Sequence, residues 1–244
     1  MKFEDIKKLH HRKYREEFGC FLVEGEHLVQ ELQKAARRDE RLRSSEIYYT
    51  AEHAHWRTDL KTHVVNARHM AQLSETRSPQ GIAAVVPLLA APAPLPGERA
   101  IYLHELQDPG NLGTILRTLA WFGKFRCLLS PASVDPHNGK VVRASMGAIF
   151  HVPTEVDVPM ASLPQRYASL ASLEFKGRSI TTTAFRNFEC YLFGNEARGL
   201  QPEALAAVKA QPFTIAGTGT MESLNVATAV NIAQFELHRQ LASP

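Results

Sequence analysis

The chain has 244 residues, 44% of them apolar, with a formal net charge of +3 and a pI near 8.8. That is enough apolar material for one large domain or two modest ones, and a mild basic excess that permits a polyanionic partner through a local patch. No apolar run approaches the roughly 20 residues needed to cross a bilayer, and the start, Met1-Lys2-Phe3-Glu4-Asp5, lacks the order of a secretion signal, so a cytoplasmic location is expected.

Glu4 to Phe18 is predicted helical and carries the basic segment Lys7-Lys8-Leu9-His10-His11-Arg12-Lys13-Tyr14-Arg15. Positive charge beside an aromatic ring suits nucleic acid, which makes Lys8, Arg12, Lys13 and Arg15 candidates for phosphate contact. Cys20 to Glu24 reads as a strand. Glu26 to Arg38 reads as a helix with Leu28, Val29 and Leu32 at core-facing intervals and the charge run Lys34-Ala35-Ala36-Arg37-Arg38 at its end. Short β-like runs follow at Ile47 to Tyr49, at His63 to Val65 and, after the Pro79-Gln80-Gly81 turn, at Ile82 to Val86. Residues 1–88 are therefore expected to form a small α/β module.

From Pro87 to Gly97 four prolines remove backbone donors, so neither a helix nor a central strand can run through the stretch. Residues 89–98 are taken as a linker and 99–244 as a second domain. In that domain Ala100 to Leu103, Phe125 to Leu129, Ile149 to Pro153, Ser179 to Thr183, Cys190 to Phe193 and Phe213 to Ile215 are predicted strands. Helices are predicted at Thr114 to Phe122, around Ala161 to Leu173, and at Leu224 to Leu241. The alternation implies an α/β fold with a mostly parallel sheet, which binds ligands beyond the carboxyl ends of its strands.

Cys20, Cys127 and Cys190 are odd in number and far apart, with no C-x-x-C spacing, and no histidine pair has the H-E-x-x-H arrangement, so no metal is expected. Gly217-Thr218-Gly219 has Ser223 where a dinucleotide fingerprint needs its third glycine, which argues against a nucleotide-dependent oxidoreductase.

Three clusters lie just past predicted strands. In His104-Glu105-Leu106-Gln107-Asp108-Pro109-Gly110-Asn111-Leu112-Gly113-Thr114-Ile115-Leu116-Arg117-Thr118, the turn residues are expected to lead into a helix capped by Asn111 or Thr114. Arg117 then falls on the second turn among apolar neighbours, an unusual place for a guanidinium unless something anionic meets it. In Leu192-Phe193-Gly194-Asn195-Glu196-Ala197-Arg198-Gly199-Leu200 a strand ends at a glycine, where backbone can approach a ligand closely. Ile215-Ala216-Gly217-Thr218-Gly219-Thr220-Met221-Glu222-Ser223-Leu224-Asn225-Val226 is a flexible loop into the last helix, with Ser223 as the expected N-cap.

In this order the clusters resemble the three signature motifs of the SpoU, or TrmH, family within the SPOUT superfamily. Phe21-Leu22-Val23-Glu24-Gly25 and Ser78-Pro79-Gln80-Gly81-Ile82-Ala83-Ala84-Val85 are similar to the substrate-binding domain of that family. The resemblance implies a deep trefoil knot in the C-terminal domain, S-adenosylmethionine as cofactor, a homodimer with the site near the subunit interface, and transfer of a methyl group to a ribose 2′-hydroxyl of RNA. Ribosomal RNA is favoured over transfer RNA, because a separate N-terminal domain is commoner in relatives acting on the former. It also implies that Gly194, Asn195, Ile215, Gly219, Leu224 and Val226 bind the cofactor, largely through backbone groups. Arg117 is expected to stabilise the developing alkoxide, with Asn111 orienting Arg117 or the ribose, Glu196 fixing the loop and Arg117, and Ser223 and Asn225 holding the acceptor nucleotide.

Two positions depart from the pattern. The third motif usually begins Ile-Pro-Met but here reads Ile215-Ala216-Gly217, which loosens the loop. In Val142-Arg143-Ala144-Ser145-Met146-Gly147-Ala148, Arg143 replaces a common lysine and is a further candidate for RNA contact. The alternatives to ribosomal RNA methylation are a transfer-RNA 2′-O-methyltransferase and a cofactor- and RNA-binding module without catalysis.

Overall fold

Residues 1–76 and 78–239 are described by the structure, a computed structural model. The strands in chain order are β1 (Cys20–Glu24), β2 (Glu46–Tyr49), β3 (Lys61–Val64), β4 (Ile82–Pro87), β5 (Arg99–Leu103), β6 (Phe125–Leu129), β7 (Thr154–Glu155), β8 (Leu170–Ser179), β9 (Cys190–Phe193) and β10 (Gln211–Thr214). The α-helices are α1 (Phe3–Ile6), α2 (Arg12–Phe18), α3 (Glu26–Ala36), α4 (Ala67–Leu73), α5 (Pro109–Phe122), α6 (Gly139–Ser145), α7 (Pro202–Val208) and α8 (Val226–His238). They fall into two compact units, residues 1–90 with 135–151, and residues 91–134 with the chain from 152 onward. The expected second domain at 99–244 is thus interrupted by α6 and its flanks. Val142 explains the exchange: it is fully buried in one apolar cluster with Phe21, Val23, Leu28 and Leu32, while Ile149 and Phe150 pack against that cluster.

In the first unit four strands run in the order β1-β4-β2-β3, with β2 and β3 parallel and the other pairs antiparallel. The predicted helix over 4–18 is broken at His11, whose extended backbone (φ −101°, ψ 133°) separates a 3-10 turn from α2. Arg15 on α2 is 4% exposed. Its guanidinium donates to Asp135 and to the carbonyls of Leu9 and His10. Burial works against the Asp135 carboxylate, yet hydrogen bonds from His137 and Arg15 hold its pKa well below the usual carboxylate range.

Glu46 on β2 shows the same contest. Burial favours its neutral form, but hydrogen bonds from Lys61 (2.9 Å), Tyr48 (2.9 Å) and His63 (2.8 Å) prevail and hold its pKa at about 2. A carboxylate lowered on folding stabilises above its unfolded pKa and loses that contribution as pH falls through the folded one. The stability gap between the wild type and Glu46→Gln, read from urea midpoints, is therefore expected to shrink steadily as pH drops from 4.5 toward about 2.

In the second unit every strand pairing is parallel, in the order β10-β8-β9-β5-β6-β7. Every residue of β6 and β9 is buried, as is normal for strands covered on both faces. Tyr102, Leu128 and Leu192 pack on one face with Leu163, Leu205 and Val208.

Other elements also differ from expectation. Residues 161–173 are not helical: a 3-10 turn with Pro164 inside it ends at Gln165, and β8 begins at Leu170. The run Ile149 to Pro153 gives a 3-10 turn, Ala148–Phe150, before β7, and Ser179 to Thr183 contributes only the last residue of β8. The final helix starts at Val226, and Leu241, its expected end, lies outside the described residues.

Candidate active site

Because the sheet of the second unit is parallel, the segments following β5, β9 and β10 leave it at one edge, and these are the three clusters singled out above. Pro109 presets φ for the first turn of α5, and the Asp108 carboxylate caps that turn by accepting the Asn111 backbone N–H at 2.7 Å. The cap is thus Asp108 rather than Asn111 or Thr114, which frees the Asn111 side chain for other work.

Asn111 joins all three clusters. Its Nδ2 donates to Glu196 Oε1 at 3.2 Å, and its Oδ1 accepts from Asn225 Nδ2 at 2.9 Å. Asn225 Oδ1 accepts the N–H groups of Ala227 (2.9 Å) and Thr228 (3.3 Å), so Asn225 caps α8 in place of Ser223. These contacts fix the polarity of the chain: an Asn225 oxygen spent on backbone donors leaves the amide nitrogen to donate, which leaves the Asn111 nitrogen facing a carboxylate. Glu196 also accepts the backbone N–H of Gln107 and of Asp108, each at 3.4 Å.

The loop after β9 is closed by its own backbone. A Cβ added at Gly194 would stand 2.4 Å from the Gly199 carbonyl carbon and 2.7 Å from the Leu200 nitrogen. Asn195 and Gly199 exchange backbone hydrogen bonds of 3.2 and 2.9 Å, and Gly199 takes φ +64° to permit this. The Asn195 side chain, 9% exposed, accepts from the N–H groups of Ala197 and Arg198 and donates to the Glu105 carbonyl at 2.8 Å. Asn195 therefore braces the loop. Glu105 completes the brace through an ion pair with Arg198 at 2.6 Å, from a left-handed backbone (φ 47°) uncommon outside glycine. Glu105 and Gln107 were present in the first cluster as sequence, but their roles depend on a positive φ and on a loop that arrives about 90 residues later in the chain, at separations of 89 to 93.

The loop after β10 is different. Residues 216–224 are exposed and make no backbone hydrogen bond among the described residues, and added Cβ atoms at Gly217 and Gly219 would meet open space. Ile215 is half-buried, Leu224 is exposed, and Val226 is buried at the first turn of α8. Ser223 is exposed, and its hydroxyl makes no hydrogen bond among the described residues.

Arg117 is exposed and has no hydrogen-bond or ion-pair partner among the described residues. No hydrogen bond or ion pair joins it to Asn111 or to Glu196. Thr118 on α5 bonds Asn231 on α8, and Asn111 bonds Asn225 at the starts of the same two helices. Two rungs in the same chain sense mean that α5 and α8 run side by side in one direction, with their positive N-terminal ends together.

Of the candidates for phosphate contact, Lys8 and Lys13 place their ammonium groups 5.7 and 5.6 Å from the centre of the Tyr14 ring. Arg12 pairs with Glu16 at 2.6 Å on the exposed face of α2. Arg15 is corrected: it is buried, and four of its five N–H donors are spent on Asp135 and on the carbonyls of Leu9 and His10, so it does not present a free guanidinium to phosphate. Arg143 lies 3.5 Å from Glu24 and 3.3 Å from Glu75, so its charge is answered within its own unit. Among the described residues, no group of three His, Cys, Asp or Glu side chains is arranged to hold a metal ion.

Residues 98–235 match the SpoU rRNA methylase family and residues 2–84 match the MRM3-like substrate-binding domain. The chain is 30% identical to the 23S rRNA (guanosine(2553)-2′-O)-methyltransferase RlmP of Bacillus subtilis, over 97% of this chain and 95% of that one. Its structure superposes with a TM-score of 0.83 on a TrmH-family protein from Porphyromonas gingivalis (30% identity, covering 98% of this chain and 97% of that one). It also superposes with a TM-score of 0.83 on the AdoMet-bound rRNA methyltransferase from Sinorhizobium meliloti (26% identity, 99% and 95%). With a family match over more than half its length and its signature side chains joined at one sheet edge, the chain belongs to the SpoU rRNA methylase family.

Proposed function

We propose that the protein transfers a methyl group from S-adenosylmethionine to a ribose 2′-hydroxyl of ribosomal RNA. The observation that carries this reading is the Glu196–Asn111–Asn225 chain of hydrogen bonds, which ties three sequence-distant loops into one site. The activity named for the Bacillus subtilis relative, and the MRM3-like front domain, support ribosomal RNA over transfer RNA.

The residues present suit the cofactor. An adenine is read by donors and acceptors in one plane, and residues 216–224 carry backbone N–H and C=O groups that the fold leaves unspent. The tight Gly194–Gly199 contact gives a side-chain-free wall beside them. Gly194, Ile215, Gly219 and Leu224 would hold the cofactor, with Asn195 acting through the loop it braces and Val226 through the helix it starts. When bound, the sulfonium supplies an electrophilic methyl group.

A ribose hydroxyl is a weak nucleophile until its proton leaves or the developing negative charge is stabilised. A guanidinium offers donors and no acceptor, so Arg117 is not the base that takes this proton. Its role is to hold the flanking phosphate and favour the alkoxide electrostatically, together with the paired N-terminal ends of α5 and α8. Glu196, Asn111 and Asn225 hold the loops in register. Ser223, whose hydroxyl has no hydrogen-bond partner among the described residues, binds the acceptor nucleotide in this reading.

The protein acts as a homodimer in this reading, through α5 and α8, where Trp121 is 84% exposed and Phe235 59% exposed. Large apolar groups in water on two packed helices favour association with another surface. The pair Trp121→Asp and Phe235→Glu is expected to turn a dimer into a monomer in sedimentation velocity, without loss of helical signal. The trefoil threading implied by the family resemblance, and a cytoplasmic location alongside ribosomal RNA, belong to the same proposal. No helix among the described residues is long and apolar enough to cross a membrane.

The test is a transcriptome-wide map of ribose methylation in a strain lacking the gene. One ribosomal site is expected to lose its methyl group and to regain it with the wild-type gene; an unchanged map counts against the proposal.

A further inference from the structure

The pairing of β8 with β10 contains a gap. Ser172 on β8 stands opposite Pro212, but Phe213, the next residue on β10, stands opposite Arg178. One step on β10 therefore spans residues 173–177 of β8, which leave the ladder, whereas an ordinary β-bulge adds one residue. The neck of this protrusion is closed. A Cβ on Gly177 would lie 2.7 Å from the backbone of Pro212 and Phe213, and the Thr214 hydroxyl donates to the Phe175 carbonyl at 3.0 Å.

The protrusion has a definite chemical face. Glu174 turns back to accept a hydrogen bond from the Ser172 hydroxyl, which removes the acidic group from the tip. Phe175 is 69% exposed, and Lys176 beside it is exposed too; neither has a ring or ion-pair partner among the described residues.

Its position follows from the sheet order. β8 lies between β10 and β9, and its pairing with β9 ends at Ser172 opposite Leu192. Residues 173–177 thus begin level with Phe193, at the edge from which the Gly194–Leu200 loop leaves on one side and the Ile215–Asn225 loop on the other. An exposed aromatic ring next to an ammonium is the combination that grips single-stranded nucleic acid, the ring stacking on a base and the cation meeting its phosphate.

We propose that the Leu173–Gly177 protrusion is an RNA-binding element of the methyl-transfer site, in which Phe175 stacks on an unpaired base at or next to the acceptor nucleotide and Lys176 contacts the adjoining phosphate. The proposal rests on the RNA-methylation reading but is measured separately from it.

The experiment uses the full-length protein and unmodified 23S rRNA transcribed in vitro, with RNA binding read by filter retention and transfer read by methyl incorporation. Phe175→Ala is expected to raise both the RNA dissociation constant and KM about tenfold, with kcat and cofactor affinity unchanged. Phe175→Trp restores binding and Phe175→Leu does not, because only the former keeps a π-face. Lys176→Ala lowers the slope of log affinity against log salt by about 0.7. Wild-type affinity in Phe175→Ala overturns the proposal, as does equal rescue by leucine, which would reduce Phe175 to an apolar contact. Should the wild type bind the transcript and transfer nothing, the catalytic reading falls, while the binding arm still decides the role of Phe175.

Discussion

Replacing Arg117 by alanine is expected to lower the rate of methyl transfer to RNA by about 10²–10³-fold, the usual cost of removing one group aimed at charge that develops in a transition state. S-adenosylmethionine binding, measured by calorimetry, is expected to stay at the wild-type value, because Arg117 makes no hydrogen bond or ion pair to the loops that would hold the cofactor, among the described residues. The variant folds normally, since an exposed side chain without partners contributes little to stability. Arg117→Lys recovers only part of the rate: the charge returns, but not the planar fork that meets phosphate oxygens two at a time. Near-normal transfer by Arg117→Ala would remove Arg117 from the mechanism.

Gly194→Ala is expected to abolish detectable cofactor binding at ordinary concentrations and to cost about 1–3 kcal/mol of stability, as overpacking does. The added methyl would be 2.4 Å from the carbonyl carbon of Gly199, and backbone cannot step aside as a flexible side chain can. To relieve the clash the 194–200 loop must open. That breaks the Asn195–Gly199 exchange and moves Glu196 away from Asn111. The loss therefore spreads from the cofactor wall to the brace of the whole site. Gly199→Ala gives a useful contrast: a Cβ there meets open space, so only its positive φ of 64° opposes substitution, and a smaller loss is expected. Equal cofactor affinity in wild type and Gly194→Ala would contradict the reading of this loop.

The parallel sheet was readable because strands buried on both faces are written as unbroken apolar runs, such as Phe125 to Leu129 and Cys190 to Phe193. The helices around the site were readable for a different reason, since Asp-Pro-Gly-Asn and Ser-Leu-Asn carry turn and cap chemistry. The choice of cap was not: Asp108 and Asn225 do that work, although Asn111, Thr114 and Ser223 are chemically as capable. Only the three-dimensional neighbours decide among equivalent side chains. The same limit applies to Arg15. Its charge run resembles a solvated basic patch, and nothing local reveals that Asp135, 120 residues later, draws it into the interior. The exchange of residues 135–151 into the first unit is equally nonlocal, resting on the fit of Val142 into a distant apolar cluster. The protrusion on β8 was hidden because the sequence reading ended a helix at Leu173 and began the next strand at Ser179, and the register jump appears only against β10.

The most direct test of the account is to incubate the purified protein with methyl-tritiated S-adenosylmethionine and unmodified 23S rRNA transcript, then digest the RNA to nucleosides. Label is expected in a single 2′-O-methylated ribonucleoside, and to be lost with Arg117→Ala. Label in a base-methylated nucleoside, or none in any RNA while the cofactor is demonstrably bound, would contradict it.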